Sequence, residues 1–399
     1  MSIRYPPILL FALMLSIPLQ SQALLYFICI TMILTLGLYK PKDLSSILLV
    51  MIIIPLVSLV ATDYSNGTRS ILRDLYYLTK PIVVVFAAVA LFYSYKDKRR
   101  ILNDFINCSI AIGFIQLLMF VNAYASQGIS NIDLLRTEVG RGVYILSFFL
   151  GFFFIKNRLL LSLKQATILI VIGLVLLFLS MSRLSILFFL VGLAASFLVN
   201  GKVKLSTVFI WALSALLFFV LFYFASNVYS DNWLISKIAS IYSELGTLDF
   251  KNAEKVDIVH NWRSYESYLL LDRLSTSSVF YNIFGLGAGS SIYLDGTFNL
   301  STGEEIESAP ILHNGILYLV MKSGIFGAGL YLYLIFIMYK KVVLIKENTT
   351  LKNLCFGLVT CVFLSSFVIT GIYNAIQVPV ILFAFVLLYK SIKFEKKNV

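Results

Sequence analysis

Two histidines, His260 and His313, are the only imidazoles in this 399-residue chain. Imidazole is the side chain whose unperturbed pKa, about 6.5, lies nearest neutral, so it can take a proton from a hydroxyl or return one to a leaving group. His313, followed by Asn314, stands where a polar stretch gives way to an apolar run, and is the stronger acid/base candidate. The competing reading is an interfacial histidine bonded to backbone; His260 reads as structural. Arginines supply a second chemistry. A guanidinium is planar, always charged and matches phosphate oxygens in pairs. Arg73, Arg183 and Arg263, with Lys80 in Thr79-Lys80-Pro81, are candidate anion ligands. A third candidate is Gly285-Leu-Gly287-Ala-Gly289. It follows no βαβ pattern, so it is a weak nucleotide signal. It reads either as a turn whose bare N–H groups let phosphate or sugar approach, or as a plain hinge.

The elements that must hold these residues are membrane helices. Hydrophobic residues make up 59% of the chain and mean hydropathy is +0.90, beyond the roughly 45–50% apolar content of soluble domains. Segments of roughly 17–25 apolar residues cross a bilayer. Twelve apolar segments, three of them shorter than this, are read as spans at 7–20, 22–38, 45–61, 75–94, 106–123, 141–155, 162–181, 184–199, 206–226, 314–338, 351–372 and 375–391. The expected fold is an all-α polytopic membrane protein: nine spans within 1–226, a large polar loop at 227–313, and three spans with a tail in 314–399. Arg4, the apolar run 7–19 and Ser21-Gln-Ala23 also fit a signal peptide, whose removal would leave the rest of the topology unchanged.

The net charge of +12 is distributed as a membrane protein distributes it. Lys40 and Lys42, Lys96 to Arg100, Lys156 and Arg158, Lys202 and Lys204, Lys340, Lys341 and Lys346, and the tail lysines all fall on alternate connections. By the positive-inside rule those connections and both termini are cytoplasmic and the large loop lies outside. This accounts for the basic charge without nucleic acid. The loop is acidic, with eleven Asp and Glu against five Lys and Arg. All four cysteines fall in spans, which gives no disulfide framework, and two histidines without an HxxxH pattern give no metal site and no cofactor.

Cations on the outer side therefore need a reason. Arg183, in the turn Ser180-Met-Ser-Arg-Leu-Ser185, either snorkels or faces the bundle. Lys80 divides in the same way between snorkelling and an interior position. Arg73 has Asp74 beside it and is either solvated or functional. Residues 256–275 read as an amphipathic helix with the stripe Trp262, Tyr265, Leu269 and Leu270. Such a helix lies on the membrane or caps the bundle, with Arg263 either a phosphate ligand or paired with Glu266. On a continuous helix Lys322 lies about 180° from His313 and Gly324 about 20° from it. Lys322 is therefore expected to neutralise a partner on another helix.

Ser182-Arg183-Leu-Ser, Arg263 ahead of Phe284-Gly-Leu-Gly-Ala-Gly289, and His313-Asn314-Gly-Ile-Leu-Tyr-Leu with Gly324 and Gly327 occur in this order. The ordered set resembles the O-antigen ligase/polymerase superfamily. The resemblance implies a GT-C-like metal-independent, inverting membrane glycosyltransferase of the bacterial inner membrane, its large loop periplasmic. It implies a donor glycan carried on undecaprenyl diphosphate. Carried over by this resemblance, Arg183 and Arg263 would hold the diphosphate, and His313 would activate the acceptor hydroxyl or aid departure of the diphosphate; Lys80, Arg73, Gly287, Gly289 and Asn314 are the candidate substrate-binding residues beside them. Other implied partners are membrane lipids and a chain-length regulator protein. Lys322 departs from the family pattern, where an acidic residue is expected. Arg73-Asp-Leu-Tyr-Tyr-Leu-Thr-Lys80-Pro is more similar to repeat-unit polymerases than to O-antigen ligases. A lipid-linked oligosaccharide flippase is the alternative from another class, and it would favour midplane charges and internal repeats.

Overall fold

The structure is a computed structural model that describes residues 6–19, 21–37, 44–97, 100–127, 143–154, 161–180, 182–199, 250, 258, 261–299, 305–345, 349–368, 371–373 and 377–389. The ninth expected span, His260 and the tail lie outside the described residues, as does the side chain of Arg183.

Leu, Ile, Phe and Val runs form helices because only a helix satisfies a lone segment's backbone away from water. In chain order these are α1 (Pro6–Leu19), α2 (Gln22–Leu36), α3 (Ser45–Val60), α4 (Thr68–Ser94), α5 (Arg100–Gln127), α6 (Val143–Phe154), α7 (Leu163–Ser180) and α8 (Arg183–Val199). After the loop come α9 (Trp262–Ser275), α10 (Val279–Phe284), α11 (Gly315–Val343), α12 (Thr349–Val368) and α13 (Val378–Tyr389). Of the apolar helices, α4, α5, α7, α11 and α12 are long and apolar enough to cross a membrane, and six others are shorter. The chain is thus mostly helical and consistent with a membrane-embedded protein.

The bundle packs α2 and α3 against α4, α3 and α12 against α11, and α8 against α6 and α12. The α6–α8 crossing is backbone to backbone. A Cβ on Gly151 would meet the Phe189 carbonyl, and one on Gly192 would meet the Phe148 carbonyl. Small residues allow this approach where the hydrophobic effect does not drive helices together. It seats α8, whose first residue is Arg183.

Helix α11 is two helices in series. Asn314 caps its start, its side-chain oxygen accepting from the N–H groups of Ile316 and Leu317 at 3.0 and 3.1 Å. At Gly324 the backbone leaves helical space, with φ 68° and ψ −173°. The carbonyl of Met321, freed by the break, accepts from the N–H of Leu286 at 2.7 Å. From Ile325 to Val343 the second half rises about 28 Å at 1.5 Å per residue, close to the roughly 30 Å hydrocarbon thickness. Lys340 and Lys341 mark one end of that half and the break marks the other. The angular relation drawn between His313 and Gly324 assumed a continuous helix, and the break removes it. A Cβ on Gly324 would fall on the Ile283 carbonyl. Gly324→Ala is therefore expected to cost at least about 2 kcal/mol from strain and overlap. Earlier labelling of the buried cysteines 29, 108, 355 and 361 by a thiol-reactive dye on heating would report that loss.

The loop folds over the start of α11. Helix α9 packs on α11 and on a two-stranded antiparallel hairpin of β1 (Ile292–Asn299) and β2 (Glu305–Ala309). The hairpin corrects the all-α expectation. Its sequence carries the period-two signal of a half-buried strand: Ile292, Leu294 and Phe298 are buried, and Tyr293 and Asp295 are exposed. Phe250, Ile258, Tyr265, Leu294, Phe298 and Ala309 form a small core of their own beneath α9. Of the amphipathic helix expected at 256–275, the described part is α9, from Trp262; its Leu269 and Leu270 face the bundle core, while Trp262 and Tyr265 face the small core.

Candidate active site

His313 lies one residue before the N-cap of α11, not in the first helical turn. Its Nδ1 is 3.0 and 3.2 Å from the two carboxylate oxygens of Glu266, and its backbone N–H donates to Glu266 Oε2 at 2.9 Å. A carboxylate beside Nδ1 requires that nitrogen to be the donor, which leaves Nε2 as the accepting nitrogen of the neutral ring. Glu266 is held in turn by the indole Nε1 of Trp262, which donates to Oε1 at 2.6 Å. The imidazole is 48% exposed and the Glu266 side chain 3%. An open imidazole is thus mounted on a buried carboxylate. The adjacent Tyr265 ties α9 to the hairpin: its phenol oxygen accepts from the Asp295 N–H at 2.9 Å, and burial raises the phenol pKa.

Below the imidazole lies a buried charged cluster between α4 and α11. Asp74, fully buried, pairs with Lys322 Nζ at 2.6 Å, accepts from Gly289 N–H at 2.7 Å and from Arg73 Nε at 3.3 Å. Lys322 also donates to the Ser290 carbonyl. The partner expected for Lys322 on another helix is therefore Asp74 on α4. Lys80 is buried on the interior side of α4, with Nζ 5.9 Å from the Tyr77 ring centre, so it does not snorkel. Two cations, Lys322 and the partly exposed Arg73, face the Asp74 carboxylate here, and Lys80 lies farther along α4. Among the described residues, Arg73 Nη2, Tyr318 Oη and Lys80 Nζ are buried without a hydrogen-bond partner. Unmet buried donors are costly, and an anion is the group that satisfies them.

The glycine run takes left-handed backbone at Gly285, Gly287 and Gly289, with φ of 82°, 84° and 85°. The close approach it permits is to the protein's own backbone. Gly287 lies against Ala61 and Thr62, and Ala288 N–H donates to the Ser58 carbonyl at 2.9 Å and the Thr62 hydroxyl at 3.0 Å. The Gly289 N–H is held by Asp74. The run is a buried clasp joining the loop to α3, α4 and α11, and of the two sequence readings the turn is the geometry seen. Asn314 is likewise occupied, as the cap of α11.

The structure brings His313 together with α9, the helix that carries Arg263 in its first turn, one turn ahead of Glu266. It does not bring His313 beside Lys80. Lys322 lies seven residues into α11 from Gly315, about 10 Å along the axis, with His313 two residues ahead of that start, and Lys80 lies about 9 Å along α4 from Asp74. Among the described residues, Arg73 Nη2 and Tyr318 Oη are the buried donors without a partner that stand nearest the start of α11. Sequence reasoning missed Glu266 and Tyr318 as site residues. The signal for Glu266 was present: Trp262, Glu266 and Leu270 recur at i, i+4 and i+8, which places a carboxylate on the buried stripe instead of the solvated one. No model of a known protein family and no curated protein matches the chain.

Proposed function

We propose that this chain is a membrane glycosyltransferase that moves an oligosaccharide from polyprenyl diphosphate to an acceptor sugar at the outer membrane face. The observation that carries this reading is the cluster in which Lys322 and Arg73 meet the buried Asp74 carboxylate while Arg73 Nη2 and Tyr318 Oη are buried without a hydrogen-bond partner among the described residues. A diphosphate on a lipid is an anion that reaches such a site from the bilayer side. Arg73 and Tyr318 receive its oxygens, and Arg183 and Arg263 join them by resemblance to the ligase/polymerase superfamily.

The chemistry asked of the protein is modest because diphosphate is a good leaving group. The acceptor hydroxyl attacks the anomeric carbon, and a new C–O bond forms as the bond to the diphosphate oxygen breaks. The diphosphate departs with the bonding electron pair, its charge neutralised by the arginines. The hydroxyl proton passes to His313 Nε2. In-line attack inverts the anomeric centre, and the step needs no metal.

Of the superfamily's two transfers, polymerisation of lipid-linked repeat units is the reading adopted. It rests on the similarity of Arg73 to Pro81 to polymerases. The setting is the bacterial inner membrane, with both termini cytoplasmic and the 227–313 loop periplasmic, as the positive-inside rule assigns them. The surface glycan of a deletion strain tests the choice. Loss of a polymerase leaves lipid A core capped with a single repeat unit. Bare core with accumulated lipid-linked polymer would instead identify a ligase acting on the core.

A further inference from the structure

We infer that Glu266 is the positioning residue for His313, holding it in the Nδ1–H tautomer with Nε2 free to accept a proton. The inference rests on the reading of His313 as the proton acceptor and adds the device that makes it one.

Four observations converge on the carboxylate. It is almost fully buried although it belongs to a loop helix. It contacts the imidazole Nδ1 with both oxygens. It also binds the backbone N–H of the same histidine, so ring and main chain are fixed to one anchor. The Trp262 indole then donates to Oε1, which fixes the carboxylate itself. A helix-surface glutamate in a solvated ion pair has none of these features. A buried carboxylate accepting a histidine N–H while the other ring nitrogen stays open is the arrangement that orients a base in hydrolytic and transfer enzymes generally.

During transfer the acceptor's proton moves to Nε2 and the ring becomes imidazolium. The Nδ1 proton stays on the histidine, and the adjacent carboxylate stabilises the charge that develops. No second proton moves. Without Glu266 the ring is free to turn or to place its proton on Nε2, where it cannot accept from the acceptor hydroxyl.

The test uses Glu266→Gln, whose single amide oxygen can keep the Trp262 bond or the His313 backbone bond but not both, since these fall on different carboxylate oxygens, with Glu266→Asp as the charge-retaining control. The chain has two histidines, so a His260→Gln background leaves one imidazole to observe. In ¹⁵N-histidine NMR of the full chain in nanodiscs, His313 is expected as the Nδ1–H tautomer. Glu266→Gln should shift the population toward Nε2–H. With polyprenyl-diphosphate-linked repeat unit as substrate, Glu266→Gln should lower kcat at least about a hundredfold. The donor KM should stay within about twofold, and Glu266→Asp should recover part of the rate. An unchanged tautomer in Glu266→Gln overturns the inference. So does an unchanged kcat in that variant when His313→Ala is inactive, and that result leaves the base reading standing. A fully active His313→Ala overturns the base reading and the inference with it.

Discussion

Replacing His313 with alanine is expected to reduce glycan transfer by about a hundred- to ten-thousand-fold, the usual contribution of a positioned general base, while protein level in the membrane holds. The structure gives reasons for both halves. The side chain is half exposed and anchored at one ring nitrogen, which suits a group that must meet substrate. Its removal leaves Glu266 with two partners, since the Trp262 indole and the residue-313 backbone N–H both remain. No buried charge is stranded, and Asn314 still caps α11. Stability should therefore change little, and a lost rate would report chemistry instead of unfolding. Quantitative immunoblotting beside the rate measurement separates the two, and a wild-type rate in the alanine variant removes His313 from the reaction.

The second large effect is on stability. Asp74→Ala should cost about 3–5 kcal/mol, because it strands Lys322 without its counter-ion in a fully buried position. It also removes the acceptor of the Gly289 N–H and releases the clasp that ties the loop to α4. Lys322→Met should cost less, because Asp74 keeps the Gly289 N–H and Arg73. Replacing both, as Asp74→Leu with Lys322→Met, should recover much of the loss, since a buried ion pair exchanged for apolar side chains is often near neutral. The residual deficit should be about 1–3 kcal/mol for the Gly289 N–H left without an acceptor. Thiol-dye melting curves of the three variants measure this order. Equal stability of Asp74→Ala and the double variant would show that the pair is not the source of the cost.

The parts of the fold legible in the sequence are those that depend on composition along one element. Apolar runs gave the helices, and the stripe from Trp262 to Leu270 gave α9 and its cap over the bundle. The sequence left Lys80 divided between snorkelling and an interior position, and the fold takes the interior one; a partner for Lys322 on another helix was expected from its angle to His313. What stayed hidden depends on contacts between elements. The break in α11 needs Gly324 to face the Ile283 carbonyl and Met321 to find the Leu286 N–H, and neither partner is adjacent in sequence. The glycine run offered bare N–H groups equally to a ligand or to the protein, and only the fold shows them taken by Ser58 and Asp74. Glu266 was overlooked because its i,i+3 spacing to Arg263 suggested a surface pair, while its i,i+4 spacing to Trp262 and Leu270 already placed it on the buried face. The hairpin alternation at Ile292 to Phe298 was readable and was outweighed by the helical character of everything around it.

The central claim is that glycan leaves polyprenyl diphosphate on this protein through proton transfer to His313. The direct measurement supplies the purified chain in nanodiscs with radiolabelled polyprenyl-diphosphate-linked repeat unit and follows chain length and released lipid diphosphate together. Extended glycan should appear with stoichiometric release of polyprenyl diphosphate, and both should vanish in His313→Ala. Intact starting material with the wild-type protein, or extension that persists unchanged in His313→Ala, would contradict the account.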